Sequence, residues 1–457
     1  MSNKTKSPDL LSAPIPKTIR DMTIPMIFGM VTLMLFNLVD TFFVSLLGTD
    51  PLAAISFTFP VTFTVISLAI GLSIGTSAII AKALGAGNLE EARFDGAVAL
   101  IVSALFVSVL AFIGYIYIDP IFSLLGAKQD LMPFIYDYMH VWFIGSIFLI
   151  TPMIGNAVLR ASGDTKTPSI IMGSAGLINA ILDPIFIFGL GPIPAMGIKG
   201  AAIASVIAWA VGVFLILYLL IIKKNLLSLN SKNQTFILAT KKMLKIGLPA
   251  AGANMLTPIA MGIMTAIVAS HGAEAVAAFG VGSRIESISS IVVLALSMTL
   301  PPFISQNFGA GKFNRVAMAY KTTLKFILIW QFALYLLLIV FSGVIANIFA
   351  SSEGVVSVIK LFIWILPLGY GLQGVIILSN SSFNALHKPM NALFMSVIRL
   401  FVFYVPLAYL GSLYWGIHGL FIGALIGNVF TAIISYRWFC QTLQSIESNE
   451  QLKVCEA

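Results

Sequence analysis

The sequence contains little charge and very little cysteine. Charged residues make up 10% of the 457 positions and hydrophobic residues 59%, whereas soluble proteins carry about a quarter charged residues. A water-soluble fold could not hide this much apolar surface, so the composition excludes soluble enzymes and soluble binding domains. The two cysteines, Cys440 and Cys455, lie close to the C-terminus and supply neither a disulfide framework nor a Cys/His metal site.

The chain also lacks the motifs of common catalytic and ATP-driven proteins. The segment that begins at Gly309 has neither the earlier glycine nor the following Ser/Thr of a P-loop, and the four histidines form no HExxH site. The basic residues, which give a net charge of +8, form no single patch with interleaved aromatics of the kind that binds nucleic acid. We therefore expect no enzyme, no cofactor and no nucleic-acid partner.

The sequence has many long apolar runs. They extend over about 20–28 residues, the length that a membrane-spanning helix needs, whereas barrel strands are about 9–11 alternating residues. Because only helices and closed barrels satisfy the backbone in hydrocarbon, the runs predict an all-α polytopic membrane protein in the bilayer. The twelve predicted helices lie near 22–47, 52–80, 94–118, 131–158, 168–190, 198–222, 243–270, 277–305, 317–349, 354–380, 390–411 and 416–439.

The positive charges alternate between loops. Most of the 26 lysines and arginines fall before the first helix or in every second loop, and the intervening loops hold only Lys128, Lys199 and Lys360. Positive loops remain in the cytoplasm, so we expect both termini to be cytoplasmic. The polar N-terminal segment has no A-x-A cleavage pattern, so no removable signal peptide is expected. The charges in this pattern include Lys4, Lys6, Lys232 and Lys453.

The two halves of the chain repeat one another at an offset of 224 positions. Pro25 aligns with Pro249 and Asn156 with Asn380, and Gly85-Ala-Gly aligns with Gly309-Ala-Gly. Six spans in each half give both halves the same topology, with a repeat axis along the membrane normal as in many transporters. We predict an N-lobe at 1–222, a basic cytoplasmic inter-lobe loop at 223–245 and a C-lobe at 246–457.

Few acidic residues fall deep inside the predicted helices, and each costs several kcal/mol in a membrane unless it is paired or protonated. Asp40 lies roughly 10 Å from the outer end of its helix at 1.5 Å per residue, and Asp183 lies at about the same depth. Asn179 shares a helical face with Asp183, and Tyr138 and Ser205 reach the same level. These five groups are the predicted proton- or cation-binding site.

Two close carboxylates in a dry site cannot both stay ionised at low cost, which favours the binding of a proton. Two other interpretations stay open: Na⁺ bound by the same oxygens, and carboxyls that only fix helix packing. The repeat aligns Asp40 with Met264 and Asp183 with about Val405, so the second lobe carries apolar residues at these positions.

Pro25 and Gly29 lie in the inner part of the first helix, where the proline removes a backbone hydrogen bond and permits bending. Bending coupled to the charge on Asp40 and a static kink are both open. Further candidates for the substrate cavity are Asn37, Asn156, Glu286, Arg284 and Met264. Glu286 either pairs with a cation, such as Arg284 or Arg399, or faces the cavity.

At these residues the sequence resembles the multidrug and toxic compound extrusion (MATE) family, within its DNA-damage-inducible-type prokaryotic branch. The resemblance covers nearly the whole chain. It depends on Pro25, on Asn37-Leu-Val-Asp-Thr, on Gly85-Ala-Gly-Asn and Gly309-Ala-Gly-Lys, on the segment from Asn156 to Pro168, and on Asn179 with Asp183-Pro184. Ser205 stands where the family commonly has threonine.

The resemblance implies a V-shaped pair of six-helix lobes that exports cationic or amphipathic drug-like compounds against an inward flux of H⁺ or Na⁺. It assigns the cation site to Asp40, Asn179 and Asp183, with Tyr138 and Ser205 as neighbours. Other branches place acids in helices 7 and 10, and their absence here favours protons. We expect a monomeric multidrug antiporter of the bacterial inner membrane that confers antibiotic resistance. The alternatives are a flippase for a lipid-linked precursor, which would need more intramembrane cations, and a passive channel.

Overall fold

The structure is a computed structural model that describes residues 9–231, 234–350 and 352–456, with side chains to 449. Lys4, Lys6 and Lys232, and the side chains of Lys453 and Cys455, lie outside the described residues. The described chain folds into sixteen α-helices, and its one pairing outside helices is an isolated bridge between Leu190 and Ile193. The prediction of an all-α polytopic membrane protein is confirmed.

The helices are named in chain order. They are α1 Ile15–Ser45, α2 Thr49–Gly85, α3 Leu89–Ile116, α4 Ile118–Leu124, α5 Met132–Ala161, α6 Lys166–Phe188, α7 Gly197–Leu217, α8 Phe236–Ala269, α9 Ala273–Ser289, α10 Ile291–Gly309, α11 Phe313–Val340, α12 Ser342–Phe349, α13 Glu353–Ile365, α14 Tyr370–Ala385, α15 Pro389–Val397 and α16 Val405–Glu456. Short 3₁₀ segments precede α5 and α14, and π-helical segments follow α7 and α15.

The described helices account for all twelve predicted spans. Eleven helical segments are long and apolar enough to cross a membrane, and the last of these, Pro389–Asn449, extends over 61 residues. Trp415 and Gly416 inside it have non-helical backbone angles, and Gly416 has φ +60°. Since 61 residues of helix would measure about 90 Å, far more than a bilayer, this break separates the eleventh span from the twelfth.

Several predicted helices differ from those of the structure; the ninth, near 317–349, is two helices, α11 and α12, which meet at Phe341. The first helix begins at Ile15 rather than near 22, because Lys17 and Arg20, which the prediction placed before the helix, lie inside its first two turns. The eighth predicted helix is two helices, α9 and α10, which meet at Ser290. The tenth is interrupted by a 3₁₀ turn at Leu366–Gly369.

The chain forms two compact units whose boundaries differ from those of the predicted lobes. Unit 1 is built around Asp21–Ala251, and unit 2 contains Leu10–Arg20 together with the chain from Gly252 onwards. Part of the predicted inter-lobe loop, 223–245, is therefore helical and belongs to unit 1. Lysines had indicated a loop there, but Met243 and Ile246 of that helix are buried in the core of unit 1.

In unit 1 the first half of α8 packs closely on α2 and α3. A Cβ added to Gly71 would lie 2.4 Å from the carbonyl oxygen of Gly247, so the two backbones touch. Lys242 of α8 donates to Glu91 Oε1 of α3 at 2.5 Å, and its ammonium lies 3.9 Å from the buried Asp95. The start of α8 is therefore held to unit 1 by backbone contact and by charge.

In unit 2 the segment before α1 is held in a comparable way. Arg315 of α11 donates to the backbone carbonyls of Leu10 and Ala13, at 3.2 and 2.8 Å, and Asn307 of α10 donates to Leu10 at 3.0 Å. Arg315 and Glu91 occupy equivalent positions in the repeat, 224 residues apart. We call these two sets of contacts the Glu91 latch and the Arg315 latch.

Candidate functional site

The first candidate site forms where α1 and α6 lie side by side in unit 1. Small residues on α6 allow the close approach: Ser169 lies against Gly29, Gly173 against Thr32, and Gly176 against Phe36. Residue numbers rise together along both helices, so the helices are parallel. Asp40 comes one helical turn after Phe36, and Asp183 two turns after Gly176, which brings both acids to the same end of the contact.

The carboxyl groups of Asp40 and Asp183 lie within hydrogen-bonding reach of each other. Asp183 is completely buried, and Asp40 is half-buried. Asp40 Oδ1 and Asp183 Oδ2 are buried atoms that have no hydrogen-bond donor among the described residues. Because buried polar atoms almost always have a partner, and because carboxylate oxygens only accept, the pair can hold a proton or a small cation.

The other three predicted site residues surround this pair. The amide nitrogen of Asn179 donates to Asp183 Oδ1 at 3.1 Å and to Ser205 Oγ of α7 at 3.2 Å. Tyr138 of α5 interacts electrostatically with both carboxyls. The structure thus brings together all five residues that the sequence assigned to the cation site, and we call this group the acid cluster. Their role in ion binding stays a prediction.

Pro25 and Gly29 both lie in a continuous helix. α1 stays helical from Ile15 through Pro25 to Ser45. Gly29 is buried, and a Cβ there would lie 3.0 Å from Ser169 Cα, so this position requires glycine for the α1–α6 contact. Gly29 therefore has a definite packing role, and bending at Pro25 stays a prediction.

A second polar group lies in unit 2 around Glu286 of α9. Gln373 of α14 donates to Glu286 Oε1 at 2.9 Å. Arg399, in the π-helical segment Ile398–Tyr404, interacts electrostatically with Glu286, and so do Tyr370 and Tyr404. We call these five residues the Glu286 cluster. The sequence analysis did not assign Gln373, Tyr370 and Tyr404 to a site, since no spacing or repeat marked these polar residues as neighbours of Glu286.

The remaining cavity candidates are scattered. Met264 is fully buried in an apolar cluster with Phe279 and Phe362, which is a packing position and not a cavity wall. Arg284 and Asn37 are exposed. Asn156 is buried, and its Oδ1 has no partner among the described residues. No three His, Cys, Asp or Glu side chains in the described chain are grouped as a metal site.

In the segment from Asn156 to Pro168, which supported the family resemblance, Asp164 forms hydrogen bonds and an ion pair at the start of α6. Asp164 accepts hydrogen bonds from the backbone and hydroxyl of Thr167, at 3.0 and 2.6 Å, and pairs with Lys224. Burial raises the pKa of Asp164, but the bonds from Lys224 and Thr167 outweigh burial and hold the pKa below its usual value. The segment thus fixes the start of α6, the helix that carries Asn179 and Asp183.

Comparison with known sequences gives consistent matches. The sequence profile of the family described as MatE matches residues 25–185 and 249–410. A Shewanella oneidensis protein named FAD transporter is 42% identical over 93% of this chain and 95% of its own length. A Bacillus subtilis protein named probable multidrug resistance protein YoeA is 26% identical over 86% of both chains.

Comparison with solved structures agrees with the sequence matches. The crystal structure described as the Vibrio cholerae MATE transporter VcmN in the bent form superimposes with a TM-score of 0.90. It is 34% identical in sequence, and the superposition covers 97% of this chain and 99% of that one. The likeness therefore extends over the whole fold and includes both units.

Proposed function

Because this chain belongs to the MatE family of membrane transporters, we propose that it is a secondary active exporter in which the acid cluster exchanges protons for an organic solute. The observation that supports this most directly is the meeting of Asp40 and Asp183 on two parallel helices. Each contributes a buried oxygen without a donor, and a proton shared between the carboxyls satisfies both.

Protons are favoured over Na⁺ by the composition of the site. The side-chain oxygens near the two carboxyls belong to Asn179, Ser205 and Tyr138, and Asn179 already directs its amide nitrogen toward Asp183 and Ser205. A donor in that position occupies space that a sodium ion needs for its oxygen ligands. Na⁺ remains the alternative coupling ion, and it would require Asn179 to reorient its oxygen inward.

Transport follows from a difference in proton affinity between two states of the protein. In the outward-open state a proton reaches the acid cluster and removes the repulsion between the carboxyls, α1 bends at Pro25, and the solute leaves. In the inward-open state the proton escapes to the cytoplasm. A ligand shifts an equilibrium only by its differential affinity for the two states, so the scheme requires that the cluster binds protons more tightly when it faces outward.

The solute has two candidates. Relatives named as multidrug proteins favour drugs, and the resemblance to the MATE family implies that these are cationic or amphipathic. The 42% identity to a protein named FAD transporter favours a flavin dinucleotide, which carries phosphate charge and planar rings. These candidates differ in charge sign and therefore make opposite demands on the residues that contact the solute.

The test uses purified protein in sealed vesicles, with FAD and ethidium as separate probes. We expect one of them to move against its gradient when a pH gradient is imposed and not when a Na⁺ gradient is imposed. Transport with Na⁺ alone would contradict proton coupling. Flux without any gradient would indicate a passive channel, and movement only of lipid-linked precursors would indicate a flippase.

The remaining expectations concern placement in the cell. We propose that the protein is a monomer in the bacterial inner membrane with both termini in the cytoplasm. Single cysteines introduced in the Lys223–Lys224 segment should react with a membrane-impermeant thiol reagent only after cells are opened. Reaction in intact cells would contradict the predicted orientation.

A further inference from the structure

The Glu286 cluster differs from the acid cluster in its unsatisfied atoms. Arg399 Nε and Tyr370 Oη are buried and have no hydrogen-bond partner among the described residues. Tyr370 is 5% exposed and Tyr404 is 8% exposed, so water does not reach these rings freely. Since an unpaired buried donor costs free energy comparable to a lost hydrogen bond, the cluster needs an acceptor that a ligand can supply.

Glu286 does not fill this need in the observed arrangement. Its Oε1 accepts from Gln373 at 2.9 Å, and no ion pair with Arg399 within 4.0 Å is found in the described chain. A structural ion pair would bring the guanidinium and carboxylate together in a bidentate contact. Here Gln373 holds the carboxylate, and the guanidinium is left with an attraction to Glu286 but no contact.

The backbone that carries three residues of the Glu286 cluster is irregular. Arg399 and Tyr404 lie in the π-helical segment Ile398–Tyr404, and Tyr370 follows the 3₁₀ turn Leu366–Gly369. Single turns of π-helix are frequent at functional sites, and irregular backbone at membrane depth is tolerated where it is buried in protein or lines a cavity. Two such segments in contact with one polar cluster therefore indicate a site and not a packing defect.

The chemistry of these donors selects the ligand. A guanidinium with a free Nε binds phosphate or carboxylate through charge-assisted hydrogen bonds, and a tyrosine hydroxyl adds a neutral donor. A cationic drug would instead meet an arginine, which repels it.

We propose that Arg399 and Tyr370 form a phosphate-binding subsite for the exported solute, with the guanidinium of Arg399 and the hydroxyl of Tyr370 as donors and with Gln373 keeping Glu286 away from Arg399. The proposal rests on the export function and names the solute class as a phosphorylated organic compound. Glu286 remains close and lowers the net charge of the subsite, which keeps binding weak enough for release.

The test measures binding of FAD and of riboflavin, which lacks phosphate, to the purified full-length protein in detergent without any ion gradient. We expect Arg399→Gln to weaken FAD binding by about tenfold or more, as loss of a charged hydrogen bond does, and to leave riboflavin binding within about twofold. Arg399→Lys should fall between, and Tyr370→Phe should cost FAD a smaller factor. Arg437→Gln is the matched control, since that arginine is exposed on α16 of the same unit.

Unchanged FAD binding in Arg399→Gln would overturn the proposal, and so would equal loss of FAD and riboflavin. An anionic lipid headgroup offers the same phosphate chemistry. If phosphatidylglycerol, and not FAD, binds in a way that depends on Arg399, the subsite belongs to lipid and the proposal fails. Because binding is measured without a gradient, its result does not depend on proton coupling. If FAD binds through Arg399 but a pH gradient drives no transport in vesicles, the export mechanism is contradicted and the subsite is not.

Discussion

The two units share a repeated helical framework and carry opposite chemistry. In unit 1 the unsatisfied buried atoms of the cluster are carboxylate oxygens of Asp40 and Asp183, which require a proton or a cation. In unit 2 they are donors of Arg399 and Tyr370, which require an anion. The equivalent of Asp40 is Met264, buried among apolar side chains. The difference teaches that the duplicated scaffold can be kept while the buried polar groups of its two halves diverge from acceptors to donors.

Removing an acid from unit 1 should give the largest effect. Asp40→Asn or Asp183→Asn removes an acid from the first unit, which then resembles the second unit in having no titratable group at that position. The amide cannot take up and release a proton. We expect gradient-driven export to fall by about 100-fold, the scale on which loss of a proton-transfer group acts, while the protein still reaches the membrane. Asp137→Asn, an exposed acid beside Tyr138, should export normally. Wild-type export by Asp40→Asn would refute the proton role.

The reverse change tests whether unit 2 can accept an acid. Met264→Asp places a carboxyl beside the buried apolar side chains of Phe279 and Phe362, and an uncompensated buried charge costs about 3–5 kcal/mol. We expect a large drop in the midpoint of thermal unfolding in detergent. Met264→Leu keeps the volume and should change the stability little. A Met264→Asp protein as stable as wild type would show that unit 2 has a hidden partner for an acid.

The spacing of α1 and α6 can be tested through glycines on one face. A Cβ at Gly176 would lie 2.2 Å from the ring of Phe36, whereas a Cβ at Gly173 has its nearest neighbour at 3.6 Å. Overpacking costs about 1–3 kcal/mol, so Gly176→Ala should destabilise the protein and separate Asp40 from Asp183. Gly173→Ala is the matched control. Equal export and stability in both variants would contradict the described contact.

The smallest effect concerns Asp164, which has no acidic counterpart near Lys388 and Pro389 in the second repeat. Its pKa is held below the usual 3.8, so its contribution to stability is present above that pH and is lost as the pH falls through the lowered value. We expect the wild type to unfold at a higher temperature than Asp164→Asn at pH 7, with the difference vanishing in strong acid. A difference independent of pH would contradict this origin.

The sequence was sufficient for the acid cluster because regular helices convert residue numbers into depth. Asp40 and Asp183 were expected at one level, and Asn179 was expected beside Asp183 by its spacing of four. The expectation of a transporter rather than an enzyme is confirmed by the family, whereas its branch within the family stays a prediction.

The Glu286 cluster could not be predicted in the same way. Tyr370 and Tyr404 reach Glu286 through a 3₁₀ turn and a π-helical segment, which shift the side chains off regular helical positions. Gln373 gave no signal because a neutral amide in an apolar run has no distinctive spacing. Such contacts depend on tertiary packing, which hydrophobic periodicity does not encode.

The Glu91 latch and the Arg315 latch affect the order in which the two units can fold during synthesis. The core of unit 1 includes Met243 and Ile246, so a ribosome that has completed the first six spans has not yet supplied everything that this half requires. The segment Leu10–Arg20, synthesised first, finds its partner Arg315 only after some three hundred further residues. A gene cut at its midpoint would therefore yield two halves that each lack a piece encoded by the other, and assembly of this protein is completed late in translation.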